Sequence, residues 1–240
     1  MSKPFNQYII KSSHNSYLNS CQICGIKYDE NYILKILNAD FKSIELDIHC
    51  IQNEIVVYHG TSCCICSKPI LFSHLLDLIE QYIIEHPDTL PIFVFLELNT
   101  TDQDKVYDII IDTLKNRIPD HKINLFNELP NSFRGNVLFC CGGNLLSDKL
   151  KEIIQLTYVY QLFFCNNPAG EQPLSFYETG INNFIFRIYP KNFMLSKNYD
   201  PTPYLDIGCQ FVCLNYQTTK FKNVLEEFFK ESNGYVERKI

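Results

Sequence analysis

Glu45 and Asp47 stand two apart in Ser43-Ile44-Glu45-Leu46-Asp47-Ile48, where apolar and polar residues alternate. As a strand, that stretch puts Ile44, Leu46 and Ile48 on one face and both acids on the other. His14-Asn15 lies upstream in Ser12-Ser13-His14-Asn15-Ser16-Tyr17. His59 lies downstream in Val56-Val57-Tyr58-His59-Gly60, and Glu97 ends Ile92-Phe93-Val94-Phe95-Leu96-Glu97. The side-chain oxygens of Asn15, Glu45, Asp47 and Glu97 make a hard, all-oxygen set that suits calcium or magnesium rather than zinc. Three carboxylates so close would repel one another without a cation. His14 and His59 are left for proton transfer and charge stabilisation, work that near-neutral imidazoles suit. A metal with two histidines is a recurrent arrangement for breaking a phosphodiester.

These groups fall at or near the downstream ends of apolar strands, where a barrel of alternating strands and helices gathers its site. Strands are expected at residues 7–11, 43–48, 55–58, 91–98, 136–141, 158–165, 184–189 and 209–216, with 12–19 as the loop after the first. Helical spacing of Tyr32, Ile33, Ile36 and Leu37 follows Asp29, a candidate cap. Leu75, Leu76, Ile79, Tyr82 and Ile83 repeat that spacing between a cap at Ser73 and a stop at Pro87. Further helices are expected at 101–117, at 148–155 behind Ser147, and at 220–229. Residues 166–180, with Pro168, Gly170 and Pro173, read as loop-like. Eight strands alternating mostly with helices, without an internal repeat, favour a barrel over an open sheet, and 240 residues suit one.

Lys and Arg number 21 against 27 Asp and Glu, a net charge of −6, so no global positive field draws in nucleic acid or an anionic membrane. Any anionic ligand must be held locally. Residues 1–10 lack a basic segment leading into an apolar run, and no apolar stretch is long enough to span a bilayer. The expected compartment is the cytosol, where the 11 cysteines stay reduced. Of the other histidines, His49, His74, His86 and His121 are expected to be ordinary surface or core residues.

With their flanks, the chemistry-bearing residues resemble a known family. Ser12-Ser13-His14-Asn15-Ser16-Tyr17-Leu18, Ile44-Glu45-Leu46-Asp47, Tyr58-His59-Gly60 and Phe95-Leu96-Glu97 are similar to the X region of eukaryotic-type phosphoinositide-specific phospholipase C. Arg187-Ile188-Tyr189-Pro190, Ser196-Lys197-Asn198-Tyr199-Asp200-Pro201, the run from Gly208 to Thr218, and Asn233-Gly234-Tyr235-Val236 are similar to its Y region. The resemblance implies an α/β chain folded as a single distorted TIM (β/α)8 barrel. In it, 1–165 would be the X-like half, 166–180 a short linker and 181–240 the Y-like half. It also implies a calcium-dependent phosphodiesterase acting peripherally at a membrane on phosphatidylinositol or its phosphates, releasing diacylglycerol and an inositol phosphate, cyclic in part. On that pattern Asn15, Glu45, Asp47 and Glu97 would bind calcium, and Glu45 or Glu97 would be the general base. His14 would stabilise the pentacovalent transition state, and His59 would protonate the departing oxygen and later activate water. Ser175, Arg187 and Tyr189 would hold the inositol ring.

The chain departs from that pattern where the family has a Lys-x-Lys pair for the ring phosphates. Here the positions are Cys140 and Gly142, in Val137-Leu138-Phe139-Cys140-Cys141-Gly142, so selectivity for the bisphosphorylated lipid is expected to be weak. Glycerophosphodiester phosphodiesterases share the Glu-x-Asp pair, but they begin with His-Arg-Gly and follow the third strand with His-Asp. Metal-independent bacterial phospholipases carry arginine where Asp47 stands. A catalytically silent head-group-binding module is the remaining alternative. Outside the family pattern, Cys21, Cys24, Cys63 and Cys66 form two Cys-x-x-Cys pairs whose spacing would let them share a structural zinc.

Overall fold

A computed structural model of the chain describes residues 1–19, 29–61, 64–65, 68–157, 164–191 and 197–239. Eight parallel strands form the frame: β1 (Tyr8–His14), β2 (Ser43–Ile51), β3 (Ile92–Leu98), β4 (Val137–Gly143), β5 (Leu156–Thr157), β6 (Phe164–Pro168), β7 (Ile185–Tyr189) and β8 (Phe211–Asn215). Their ladder runs β6-β7-β8-β1-β2-β3-β4-β5. Among the described residues no ladder joins β5 to β6, so the sheet curls into a nearly closed barrel. Helices α1 (Tyr32–Asn38), α2 (Phe72–Glu85), α3 (Gln103–Leu114), α4 (Asp148–Ile153), α5 (Leu174–Gly180), α6 (Thr202–Ile207) and α7 (Lys222–Phe228) return the chain between strands or follow the last one.

The strands are apolar on both faces because both faces are covered. In β3, Phe93 and Phe95 point inward with Ile10, Leu138, Cys140, Phe164, Phe211 and Cys213. Val94 and Leu96 point outward into the layer shared with α2 and α3, against Leu76, Ile79, Val106 and Ile110. Aromatic rings fill the barrel's lower half: Phe211 packs edge-on to Phe93 at 5.0 Å and to Phe95 at 5.3 Å between centroids. A short strand, Tyr235–Glu237, runs antiparallel to the start of β1, and the Tyr235 hydroxyl donates to the Pro91 carbonyl. Gly234 begins that return with φ +82, and a Cβ there would lie 2.2 Å from the Asp40 carbonyl oxygen.

Several expectations change. The strand expected at 55–58 is Glu54–Val57, which is not a barrel strand: it folds back antiparallel on β2 through Gln52 and Asn53, both at positive φ. The eighth place is taken by β5, whose two residues are too few to show a period. Residues 12–14 belong to β1 rather than to a loop, because Ser12, Ser13 and His14 pair with Cys213, Leu214 and Asn215. Ser73 lies inside α2, which starts without a side-chain cap, whereas the Ser147 hydroxyl does accept the Leu150 N–H at the start of α4. The loop-like stretch 166–180 holds the end of β6, which closes at Pro168, and all of α5, with Gly170 and Pro173 in the turn between them. Of the strand expected at 158–165, residues 158–163 lie outside the described residues. No described helix is long and apolar enough to cross a membrane.

Candidate active site

Strand register assembles the site at the barrel's C-terminal rim. Glu45 and Asp47 project inward from β2, and Asp47 is paired with Glu97 on β3, which puts those two carboxylates on one face of adjacent strands. His14 ends β1 opposite Asn215 at the end of β8. Asn15 then takes φ +49, a left-handed conformation that asparagine tolerates, and its N–H turns onto Glu45 Oε2 at 2.9 Å. Ser16 fastens this turn to β2, its N–H donating to the Glu45 carbonyl and its hydroxyl accepting the Glu45 N–H.

Arg187, 1 % exposed, lies within the barrel. Its Nη2 meets Glu45 Oε1 at 2.9 Å and its Nη1 donates to Asn166 Oδ1 at 2.9 Å. The guanidinium also lies 4.7 Å over the Phe95 ring and 5.3 Å over the Tyr189 ring. His14 Nε2 is 3.4 Å from Glu45 Oε2, and its ring lies parallel to Tyr189 at 5.9 Å. Asp47 accepts the Tyr17 hydroxyl at 2.7 Å. His59 stands in the loop after the hairpin strand Glu54–Val57, within electrostatic reach of His14 and Glu45.

The charges divide the carboxylates into two kinds. Burial would raise the Glu45 carboxyl, but His14, Arg187 and the Asn15 N–H outweigh it and hold the group well below the usual carboxylate range. Asp47 is pushed well up, first by burial and then by Glu45, against the opposing Tyr17 hydrogen bond. Glu97 is raised to about 7, by burial and then by Glu45. His59 is lowered by burial and then by His14. A cation beside Asp47 and Glu97 would favour their charged forms. Among the described residues, no three His, Cys, Asp or Glu side chains already close on a single point as a metal cage.

Of the residues expected in the site, Asn15, Glu45 and Arg187 join directly, and His14, Asp47, Glu97, Tyr189 and His59 line the same mouth. Ser175 is on the rim but not in this cluster: it is exposed in the first turn of α5, its carbonyl accepting the Thr179 hydroxyl. Cys140 and Gly142 are paired with Phe95 and Glu97, so the positions that lack lysine belong to the inward face of β4. Cys21, Cys24, Cys63 and Cys66 lie outside the described residues. His86 stacks on Tyr82, and His121 pairs with Asp120 and Glu128, each away from the mouth. Sequence reasoning assigned nothing to Tyr17, Asn166 or Asn215, although Asn215, like Glu97, is a polar residue at the end of an apolar strand.

Residues 1–138 match the family model for the phosphatidylinositol-specific phospholipase C X domain, and residues 166–239 match the model for its Y domain. The chain is 26 % identical to human 1-phosphatidylinositol 4,5-bisphosphate phosphodiesterase zeta-1, over 91 % of this chain and 46 % of that protein. It is 36 % identical to the human delta-4 enzyme of the same name over 40 % of this chain and 12 % of the other. The crystal structure of L. pealei PLC21 superposes with a TM-score of 0.84 at 17 % identity, covering 98 % of this chain and 37 % of that one. A Ca2+-dependent phosphatidylinositol-specific phospholipase C from Streptomyces antibioticus superposes at 0.61 and 10 % identity, covering 99 % of both chains. The chain thus spans less than half the length of the human zeta-1 protein, and the structural likenesses speak for the barrel.

Proposed function

Since the chain belongs to the phosphatidylinositol-specific phospholipase C family, we propose that it cleaves the phosphodiester of phosphatidylinositol lipids, releasing diacylglycerol and an inositol phosphate, partly in the 1,2-cyclic form. The observation that carries this reading is the gathering of His14, His59, Glu45, Asp47, Glu97 and buried Arg187 at one rim. The donor set fits calcium: Asp47 and Glu97 are hard oxygen ligands whose charged forms a dication would favour, and the buried Asn15 amide, whose nitrogen has no hydrogen-bond partner among the described residues, could turn its oxygen to the ion. Asn15, Glu45, Asp47 and Glu97 would hold the ion, which would acidify the inositol 2-hydroxyl and offset phosphate charge.

The protein's own groups divide the remaining work. Both Glu45 oxygens are engaged, one by Arg187 and the other by His14 and Asn15, which leaves Glu97 to take the 2-hydroxyl proton. His14, held against Tyr189, faces the charge that develops on phosphorus. His59 protonates the departing glycerol oxygen and then draws a proton from water attacking the cyclic ester. Arg187 fixes Glu45 and borders the ring site with Tyr189, while Ser175 reaches the ring only from the rim. Residues 1–165 and 181–240 act as two halves of one site.

Selectivity follows from what faces inward. With Cys140 and Gly142 on β4, two charge-assisted contacts of ~1.5–3 kcal/mol each are missing. The 4,5-bisphosphate is therefore only weakly preferred over unphosphorylated phosphatidylinositol. Membrane association is peripheral, from the cytoplasmic side. Of the five exposed large apolar side chains among the described residues, Leu71, Leu146, Leu174 and Phe176 stand where strands hand over to helices at the catalytic rim, and only Ile84 does not. The test is hydrolysis of phosphatidylinositol and its mono- and bisphosphates in vesicles, with and without a calcium chelator. Turnover that survives excess chelator would remove calcium from the reading, and absence of turnover on every lipid would leave only the silent binding module.

A further inference from the structure

His14 is held from behind by two asparagines to which neither the motif nor the cleft assigns a role. Its Nδ1 lies 2.9 Å from Asn215 Oδ1, in a contact buried at the paired ends of β1 and β8. The orientation of an amide is an assignment, so its surroundings must decide which end faces the ring. The other end of Asn215, Nδ2, points at the Lys197 carbonyl at 3.5 Å, and a carbonyl can only accept. The oxygen therefore faces His14, and His14 Nδ1 must carry the proton. Nε2 is then the nitrogen presented to Glu45 and the mouth.

Asn215 is itself clamped. Its N–H donates to Asn198 Oδ1 at 2.7 Å, and Asn198 Nδ2 returns to the Asn215 carbonyl at 3.1 Å, closing a two-bond ring like a pair of ladder contacts. The same Nδ2 reaches Thr218 Oγ1 at 2.8 Å and the Lys220 carbonyl at 3.1 Å. Asn198 thereby ties the segment before α6 to the loop after β8 and holds the end of β8 in place. Both amides are buried.

We propose that Asn215, braced by Asn198, is the positioning residue that fixes the tautomer and direction of His14, so that Nε2 faces the reacting phosphate. The inference rests on the catalytic reading of His14, but its first readout does not. In wild-type protein with 15N-labelled histidine, assigned by comparison with His14→Gln, the His14 signals should show Nδ1 protonated and hydrogen-bonded in the absence of substrate. A signal showing Nδ1 bare overturns the proposal without any variant having to fold. Asn215→Leu, checked for native circular dichroism, should lose that signature and lower kcat about 10–100-fold with KM little changed, the scale for outer groups that orient a histidine. Asn215→Asp keeps an acceptor and should keep both the signature and most of kcat. Wild-type kcat in Asn215→Leu, or Asn215→Asp as damaged as Asn215→Leu, overturns the positioning role. Undiminished turnover in His14→Ala would instead remove the catalytic reading, which the spectrum does not test.

Discussion

Two histidines share the mouth, and they stand on different elements. His14 is bonded to Asn215, stacked on Tyr189 and set against Glu45, whereas His59 sits on a loop where burial favours its neutral form. An imidazole that gives its proton to the departing oxygen is left neutral, ready to draw one from water, so His59→Ala should lower turnover ~10²–10⁴-fold while leaving vesicle binding unchanged. Tyr17→Phe takes a hydroxyl donor from Asp47. Calorimetric titration should then show calcium affinity reduced about 10–100-fold. Glu97 sets a pH dependence. Its folded value of about 7 is above the ordinary 4.5, so between these pH values the unfolded chain has released a proton that the folded protein keeps. The stability that Glu97 contributes is complete below about 4.5 and is lost as pH rises through about 7. Denaturation in chelator should show wild type losing stability relative to Glu97→Gln across that window, and a constant difference would contradict the burial argument. Tyr17 and Asn215 were invisible to sequence reasoning because their partners lie 30 and 201 residues away, and no local pattern announces such a bond.

At the scale of elements, the period-two pattern of β2 read correctly because a strand has an inward and an outward face, and its acids occupy the inward one near the rim, while β3 read correctly as an apolar run covered on both faces. Residues 55–58 are an apolar run too, and misled: apolar run length cannot say whether a strand continues the barrel or folds back on a neighbour. The count of eight survived because one hairpin strand was taken in and the two-residue β5 left out. The same handover from strand to helix that places the acids also places Leu71, Leu146, Leu174 and Phe176 around them. Burying one such side chain in a lipid surface is worth roughly 1.5–3 kcal/mol when complete, so Leu146→Ser should weaken partitioning onto phosphatidylinositol vesicles by about tenfold. Ile84→Ser, at the other end of α2, should leave it unchanged. Equal losses in a sedimentation assay would count against rim-first docking.

For the whole molecule, the seam between β5 and β6 matters as much as the ladders. No strand pairing crosses it among the described residues, whereas β8 is registered against β1 over five residue pairs and Tyr235–Glu237 over three. Chains 1–157 and 164–240, co-expressed, should therefore copurify as one barrel and recover turnover. Fragments that separate would show that the covalent join supplies what the β8–β1 ladder was taken to supply. The aromatic packing below the acids has a different consequence. Among the described residues, Phe93, Phe95 and Phe211 pack the barrel beneath the acids, so the acids face the C-terminal rim rather than a through-going pore. On the proposed reading, ring, ion and water would all enter by that rim, and while lipid tails stayed anchored outside, traffic would queue: the spent sugar phosphate would back out before the next head group entered.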